Sequence, residues 1–443
     1  MLRRIDLARG ERLTEASLRR SGGVDAEILA ATACIVNDVC DRGDAALLEY
    51  TEKFDHVKLV EMLVSKEEIE AAVATVGDEF LDVISAAAGA IEEFHRRQVP
   101  QSWFTTQEGG VFLGQKVTPL RRVGIYVPGG RACYPSSVLM NAIPALVAGV
   151  DEIVMVVPPD ADGSVNPYTL AAAAEAGVEE IYKVGGAQAV AALAYGTETI
   201  ERVDKIVGPG NAYVTAAKKL VMGACGIDML AGPSEVLVLA DQTAIPAFVA
   251  IDLMAQAEHD PRAATYLVTI DPALPDLVEE ALEALLSESP RGDITRRSLE
   301  DNGVVIVCAD IVAALDAVDL IAPEHLEVQM ADAFDLLGSI RNAGAIFLGH
   351  WTPEAVGDYV AGPNHVLPTG GTARFSSPLS VDDFVKKSSV ISYSVEALEL
   401  DGPTAMILAD REGLWAHSAS VGLRLAAIDD FAAELDEDEG GES

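Results

Sequence analysis

From Asp25 to Gln98 the apolar positions recur with helical spacing, and Ser65 with Glu68 three places later forms a capping box that opens the stretch to Arg97. Phe104 to Thr118 alternates around Gly109-Gly110, the pattern of a hairpin. At Arg122 the rhythm changes. Short apolar runs at Val123–Val127, Ile153–Val157, Ile181–Val184 and Ile206–Val207 alternate with helical stretches from Ser136, Asn166-Pro167 and Ala187. The alternation starts again after Gly232-Pro233-Ser234. Strands at Val236–Leu239, Tyr266–Ile270, Val304–Val307 and Ala345–Leu348 are separated by helices from Ile245, Pro275, Ile311 and Ala333. Strand–helix alternation of this kind predicts parallel sheets wrapped by helices.

The expected fold is therefore α/β: two Rossmann-like doubly wound units, an N-terminal helical arm and a small C-terminal helical tail. The boundaries read as an arm over residues 1–22 and a discontinuous α/β domain over 23–125 and 236–378. A second α/β domain spans 126–235, a helical region 379–431, and an acidic, unstructured tail 432–443. The stretch rich in Gly, Pro and Ser after Trp351 is long and irregular, and such loops inside compact domains are often functional.

Composition narrows the classes. The 443 residues are 50% apolar, enough for a substantial core. Thirty-one basic against seventy acidic residues leave a net charge of −39. That surface repels nucleic acid and anionic lipid, so neither is an expected partner. It suits a salt-rich cytoplasm, where cations screen the self-repulsion. The five cysteines are scattered, without a C-x-x-C pair. The N-terminus lacks an apolar signal core, and no run of eighteen apolar residues is present. A reduced, cytoplasmic, membrane-free protein is expected.

Three glycine turns end predicted strands: Gly129-Gly130, Gly185-Gly186 and Gly208-Pro209-Gly210-Asn211. Glycine lets backbone N–H groups approach a phosphate at a helix N-terminus. Each turn alone reads better as close packing, and none matches G-x-G-x-x-G; three in one unit favour a nucleotide. Gln256 and His259 share a helix face and could hold one metal, although a solvated helix end is the commoner meaning. Glu324-His325 in a post-helix turn suits paired proton transfers, against the plainer reading of a polar turn. Asp358 with His365, and Glu412 with His417, are further acid–imidazole pairs. Asp358, His259, Gln256 and one later His would make an N/O zinc site. His56, His95 and His350 look like surface or loop residues.

With these residues in place, the chain resembles the histidinol dehydrogenase family. The resemblance is carried by Val123-Gly-Ile-Tyr-Val-Pro-Gly-Gly130, Tyr134-Pro-Ser-Ser-Val-Leu-Met-Asn141 and Gly185-Gly-Ala-Gln-Ala189. Val207-Gly-Pro-Gly-Asn-Ala212, Ala231-Gly-Pro-Ser-Glu235, Gln256-Ala-Glu-His-Asp260 and Ala322-Pro-Glu-His-Leu326 follow in family order. Gly357-Asp-Tyr-Val-Ala-Gly-Pro-Asn-His365, Phe384-Val-Lys-Lys387 and the segment Glu412 to His417 complete it. The resemblance implies oxidation of L-histidinol through histidinaldehyde to L-histidine with two NAD⁺, in histidine biosynthesis. It implies zinc on Gln256, His259, Asp358 and His417, and substrate contacts at these four and at Ser234, His325 and Glu412. Glu324 and His325 would be catalytic, and Tyr126, Gln188 and Asn211 would contact NAD. It further implies a homodimer whose tail carries Glu412 and His417 to the partner's site. Leu230 stands where family members often carry proline, which loosens a loop but removes no ligand. Cys133 matches no assigned family position and reads as a bystander thiol. Rival readings are a paralogous dehydrogenase for another amino alcohol or sulfonate, a zinc hydrolase using Glu324, and a non-catalytic two-lobed binding protein.

The charge excess makes a prediction of its own. Lowering salt from molar to millimolar unscreens the carboxylate surface, so the circular dichroism should show the fold loosening. An unchanged spectrum would contradict a salt-adapted surface.

Overall fold

The computed structural model describes residues 1–18, 25–107, 109–129 and 133–440. It comprises two units: Met1–Val99 with Pro119–Phe384, and Pro100–Thr118 with Val385–Ser443. In chain order the strands are β1 (Arg3–Leu7), β2 (Trp103–Thr106), β3 (Phe112–Pro119), β4 (Arg122–Tyr126), β5 (Glu152–Val157), β6 (Glu180–Lys183) and β7 (Lys205–Val207). They continue with β8 (Gly226–Ile227), β9 (Glu235–Ala240), β10 (Ala264–Thr269), β11 (Gly303–Cys308), β12 (His325–Gln329), β13 (Ala345–Leu348) and β14 (Val385–Ser392).

The first unit holds two parallel sheets, ordered β6-β5-β4-β7-β8 and β1-β11-β10-β9-β12-β13. Every residue of β9 and β11 is buried. Helices cover both faces of such strands, which is why they read as unbroken apolar runs. Val236 and Val238 pack with the helix Pro246–Ala257, while Leu237 and Leu239 join a core on the opposite face. The predicted helix caps hold. Ser65 and Glu68 cap each other reciprocally, and Asn166 caps the helix Pro167–Glu175 with Pro167 in its first turn.

Three elements differ from the sequence reading. The opening residues Arg3–Leu7 of the arm also form an edge strand, parallel to β11; the expected end of the arm near residue 22 lies outside the described residues. The segment after Pro323, read as a turn, enters strand β12 between β9 and β13. Its sequence His-Leu-Glu-Val-Gln alternates like a half-exposed strand, yet all five residues are buried. A strand, β14, precedes the C-terminal helices.

In the second unit β2 and β3 form the expected antiparallel hairpin, and β14 completes a three-stranded sheet. Helices Val395–Arg411 and Trp415–Gly440 pack on each other. Among the described residues no helix is long and apolar enough to cross a membrane, and all five cysteines are free.

A buried ion pair shapes the carboxyl edge of the smaller parallel sheet. Lys218 pairs with Asp228, and its ammonium also donates to the Gly208 carbonyl at 3.0 Å. The other Asp228 oxygen accepts from the Gly208 N–H at 2.8 Å. Gly208 needs this clamp because its backbone has φ +110°, and a Cβ there would stand 2.2 Å from the Tyr126 carbonyl oxygen. Asp228→Ala leaves the ammonium buried and unpaired. It should lower the unfolding free energy in urea by about 3–5 kcal/mol. A loss below about 1 kcal/mol, the scale of an exposed pair, would contradict that role.

Candidate active site

Glu324 and His325 arise from a sharp exit. The helix Ile311–Ile321 ends on Ala322 in the left-handed region, φ 46°, and Pro323 prevents its continuation. The chain then drops directly into β12, paired with β9 at His325↔Val236 and with β13 at His325↔Ala345. The Ala345 N–H donates to the Glu324 carbonyl at 2.9 Å, and a Cβ on Gly344 would lie 2.5 Å from that oxygen. The acid–imidazole pair thus sits on rigid backbone at the amino ends of β9 and β12. Open α/β sheets ordinarily place ligands at the carboxyl ends, so this end of the larger sheet departs from the general expectation.

One carboxylate oxygen of Glu324 accepts from the Glu235 N–H at 2.8 Å. The Nδ1 of His325 lies 3.3 Å from the Glu235 carbonyl, a group that only accepts, so Nδ1 carries a proton. Nε2 has no hydrogen-bond partner among the described residues. The nearest carboxylate oxygens are Glu354 at 3.7 Å and Glu324 at 3.9 Å on the Nδ1 side, and Asp358 at 3.6 Å on the Nε2 side. Glu354 and Asp358 are four residues apart on the helix Glu354–Tyr359, so one helical turn places a carboxylate on either side of the ring.

Burial dominates the electrostatics. It pushes Glu324 up to about 7 and Glu354 up to about 8, each partly relieved by the His325 charge. Burial also disfavours the imidazolium of His325, but Glu354, Glu324 and Asp358 outweigh it and raise its pKa to about 10. Asp358 resists desolvation through His325 and stays below its ordinary value. Desolvation lowers His259 against the pull of Asp358, and lowers His365 likewise. The imidazole of His259 is crowded by protein although the residue keeps exposed surface at the rim. Neutral imidazole is the form that can bind a metal.

Of the expected zinc ligands, the first unit brings Gln256 and Asp358 to this cluster, with His259 beside them. Gln256 is buried; turned so that its nitrogen faces Glu354, its carboxamide donates to both Glu354 oxygens, at 2.5 and 3.1 Å. The tightest acid–imidazole group is His325, Glu354 and Asp358, whose ligand atoms all lie within 4.8 Å of one another. This donor set of imidazole and carboxylate oxygens, crowded with buried negative charge, fits a divalent cation. Ser234 directly precedes β9, and its carbonyl accepts from the Ala264 N–H at 3.0 Å. Glu412 ends the helix Val395–Arg411 and His417 stands near the start of the next; both are exposed, in the second unit, and are not members of the cluster.

Tyr126, Gln188 and Asn211 all follow strand ends on one edge of the smaller parallel sheet. The Tyr126 hydroxyl accepts from the Gly186 N–H at 3.0 Å, and burial raises its pKa to about 12. The side-chain oxygen of buried Gln188 has no partner among the described residues. Asn211 caps the helix Ala212–Val221 through its oxygen, leaving its amide nitrogen to face outward contacts. Gly129 and Gly185 both close on Pro158, where a Cβ on either would stand 2.6 Å away. Gly130 of the first predicted turn lies outside the described residues. A cradle of glycine turns with an unsatisfied buried carboxamide fits a dinucleotide.

The sequence reading missed Glu354, whose signal was its four-residue spacing to Asp358. It also missed the polar face of β12, where Glu327 and Gln329 follow His325 at alternate positions. Gln329 donates to Glu327 at 2.9 Å and to Asp252 at 2.7 Å, and Asp252 is one helical turn before Gln256. His95, expected at the surface, is fully buried, with Nδ1 2.7 Å from the Ile91 carbonyl. His56 is exposed and His350 half-buried.

Burial and the neighbouring Glu327 push Asp252 up to about 8. Its folded value exceeds its unfolded one, so its contribution to stability is full below about pH 4 and is lost as pH rises through about 8. Asp252→Asn removes that ionisation and should flatten the fall in melting temperature from about pH 4 to about pH 8. Parallel curves for the two proteins would contradict a raised Asp252.

The family model described as histidinol dehydrogenase matches residues 18–425. The histidinol dehydrogenase of Syntrophotalea carbinolica is 58% identical over 386 residues, covering 87% of this chain and 89% of the relative. That of Bacillus subtilis is 53% identical over 409 residues, covering 92% and 95%. The crystal structure of histidinol dehydrogenase from Elizabethkingia anophelis superposes with a TM-score of 0.90 at 38% identity, covering 97% of this chain and 99% of that one.

Proposed function

The chain belongs to the histidinol dehydrogenase family, and on that footing we propose that it oxidises L-histidinol through L-histidinaldehyde to L-histidine, using two NAD⁺ and zinc. The observation that carries the reading is the state of His325: Nδ1 is committed to the Glu235 carbonyl, and Nε2 faces Asp358 without a partner among the described residues.

Gln256, His259 and Asp358 would hold zinc, with His417 as fourth ligand. Tyr126, Gln188 and Asn211 would contact NAD. When bound, zinc supplies a fixed anchor for the substrate's imidazole and amine, and NAD⁺ supplies the hydride acceptor. His325, neutral once a bound cation shares the carboxylates that otherwise raise its pKa, takes the alcohol proton on Nε2, and the imidazolium so formed is stabilised by Glu354, Glu324 and Asp358 around it. Glu324, raised by burial to about 7, exchanges a proton readily near neutral pH and deprotonates the water that attacks the aldehyde. The rigid exit from the helix Ile311–Ile321 into β12 holds both groups in place through the two oxidations. Ser234, at the start of β9, orients the substrate beside them.

Glu412 and His417 reach a site of this kind in a homodimer, supplied by a second copy of the chain. The second unit carries a suitable surface: Leu400, Ile407, Leu408, Leu414, Trp415 and Leu423 are all exposed. Light scattering during sizing should report a dimer, and a fully active monomer would sink this part of the reading.

Two variants separate the steps. His325→Gln should slow alcohol oxidation by about 10²–10⁴-fold. Glu324→Gln should still produce one NADH from histidinol while failing on supplied histidinaldehyde. Equal loss of both half-reactions in Glu324→Gln would contradict its role as the base for water. Cys133→Ala should keep its turnover, and a loss of most activity would give that thiol a role.

A further inference from the structure

Glu354 is among the least exposed acids in the protein, at 3%, and the reaction as derived above uses it only as one of three carboxylates around His325. Its surroundings are specific. With the Gln256 carboxamide turned so that its nitrogen faces Glu354, that nitrogen donates to both Glu354 oxygens, and the His325 Nδ1 is 3.7 Å away. Its backbone N–H donates to a Glu327 oxygen at 2.8 Å. Glu327 is held in turn by Gln329, which also reaches Asp252.

These contacts form one buried polar seam. His325, Glu327 and Gln329 line one face of β12, because side chains alternate along a strand. Asp252 and Gln256 face it from successive turns of the helix Pro246–Ala257. Glu354 and Asp358 close it from the helix Glu354–Tyr359, whose first N–H is fixed by Glu327. Leu326 and Val328, on the other face of β12, belong to an apolar core. A seam of this kind is costly unless each member is satisfied, and Glu354 is the member that links the helix, the strand and the carboxamide.

A carboxamide can present either end to a neighbour. Ionised, as a bound cation would favour, Glu354 only accepts, so it selects the nitrogen and turns the Gln256 oxygen to the opposite side, where the Glu235 N–H lies 3.3 Å from it. Only that oxygen can bind a metal. The same carboxylate adds negative charge on the protonated side of His325, which favours the imidazolium formed when Nε2 takes a proton. We infer that Glu354 is a positioning residue for the reaction, fixing the Gln256 carboxamide for the metal and the His325 imidazole for proton transfer with one side chain. The inference rests on the assignment of Gln256 as a zinc ligand made above.

The test uses the full-length protein and zinc alone, in competition with a chromogenic chelator, alongside steady-state kinetics. Circular dichroism checks the fold of each variant. Glu354→Ala should bind zinc about 10–100-fold more weakly, the range typical of residues that orient a metal ligand. Gln256→Ala should also lose affinity, and the double variant should lose no more than the worse single one, since the two act as a unit. Glu354→Gln keeps the size and an accepting oxygen. It should restore most of the zinc affinity yet still lower kcat, because the charge beside His325 is gone. Native zinc affinity in Glu354→Ala, multiplicative losses in the double variant, or native kcat in Glu354→Gln would each overturn the inference. If Gln256→Ala alone binds zinc normally, the ligand assignment falls and this role falls with it. If Gln256→Ala loses zinc and Glu354→Ala does not, only the role of Glu354 falls.

Discussion

A carboxylate taken out of water needs a cation, a proton or several donors, and around His325 three carboxylates are taken out of water together. Glu324, Glu354 and Asp358 lie within 3.9 Å of one imidazole. Burial and mutual repulsion raise two of the acids to about 7 and 8, while the attraction of all three carboxylates drives the imidazole to about 10 against its own burial. An isolated arrangement of this kind would cost several kcal/mol per unpaired charge. The fold tolerates it because β12 is an interior strand of a six-stranded sheet, with β9 and β13 on either side. A divalent cation beside Asp358 would relieve the same repulsion, so the feature that strains the fold is also the one that would favour a metal there.

The rest of the first unit is arranged around that edge. The Glu324–His325 pair stands at the amino ends of β9 and β12, whereas the glycine turns stand at the carboxyl ends of the smaller sheet. The segment from Asp228 to Ser234 runs from one to the other. At one end Asp228 clamps Gly208 through Lys218; along the way the Gly232 N–H donates to the Thr369 hydroxyl, and the Ala231 carbonyl accepts from Thr215. On the proposed function, a dinucleotide on the smaller sheet and a substrate at Glu324 and His325 would be served by one short, tethered stretch of chain. That is a physical reason for a family motif to lie at Ala231-Gly-Pro-Ser-Glu235.

Much of this was legible from the chain. Parallel strands buried on both faces appear as apolar runs, so β4, β5, β9, β10, β11 and β13 were located to within about two residues, the usual boundary error. The capping residues Ser65 and Asn166 act locally and were equally plain. What escaped depends on tertiary contact. In β12 the polar alternation signals solvent, and only the opposing helix shows that His325, Glu327 and Gln329 face buried partners. Glu354 looked like any helix-opening acid until Gln256, almost a hundred positions earlier, was placed against it. His95 carries no local sign of burial. The site residues were named through resemblance rather than spacing, because Gln256, Glu324 and Asp358 are too far apart in sequence for any periodicity to join them.

The most direct measurement is the yield of NADH from a limiting amount of L-histidinol in molar salt, before and after chelation. The account predicts two NADH per histidinol, lost when metal is removed and regained with zinc. A full yield from chelated protein would contradict the cation's place in the cluster. No NADH from folded, zinc-replete protein would contradict the reaction itself.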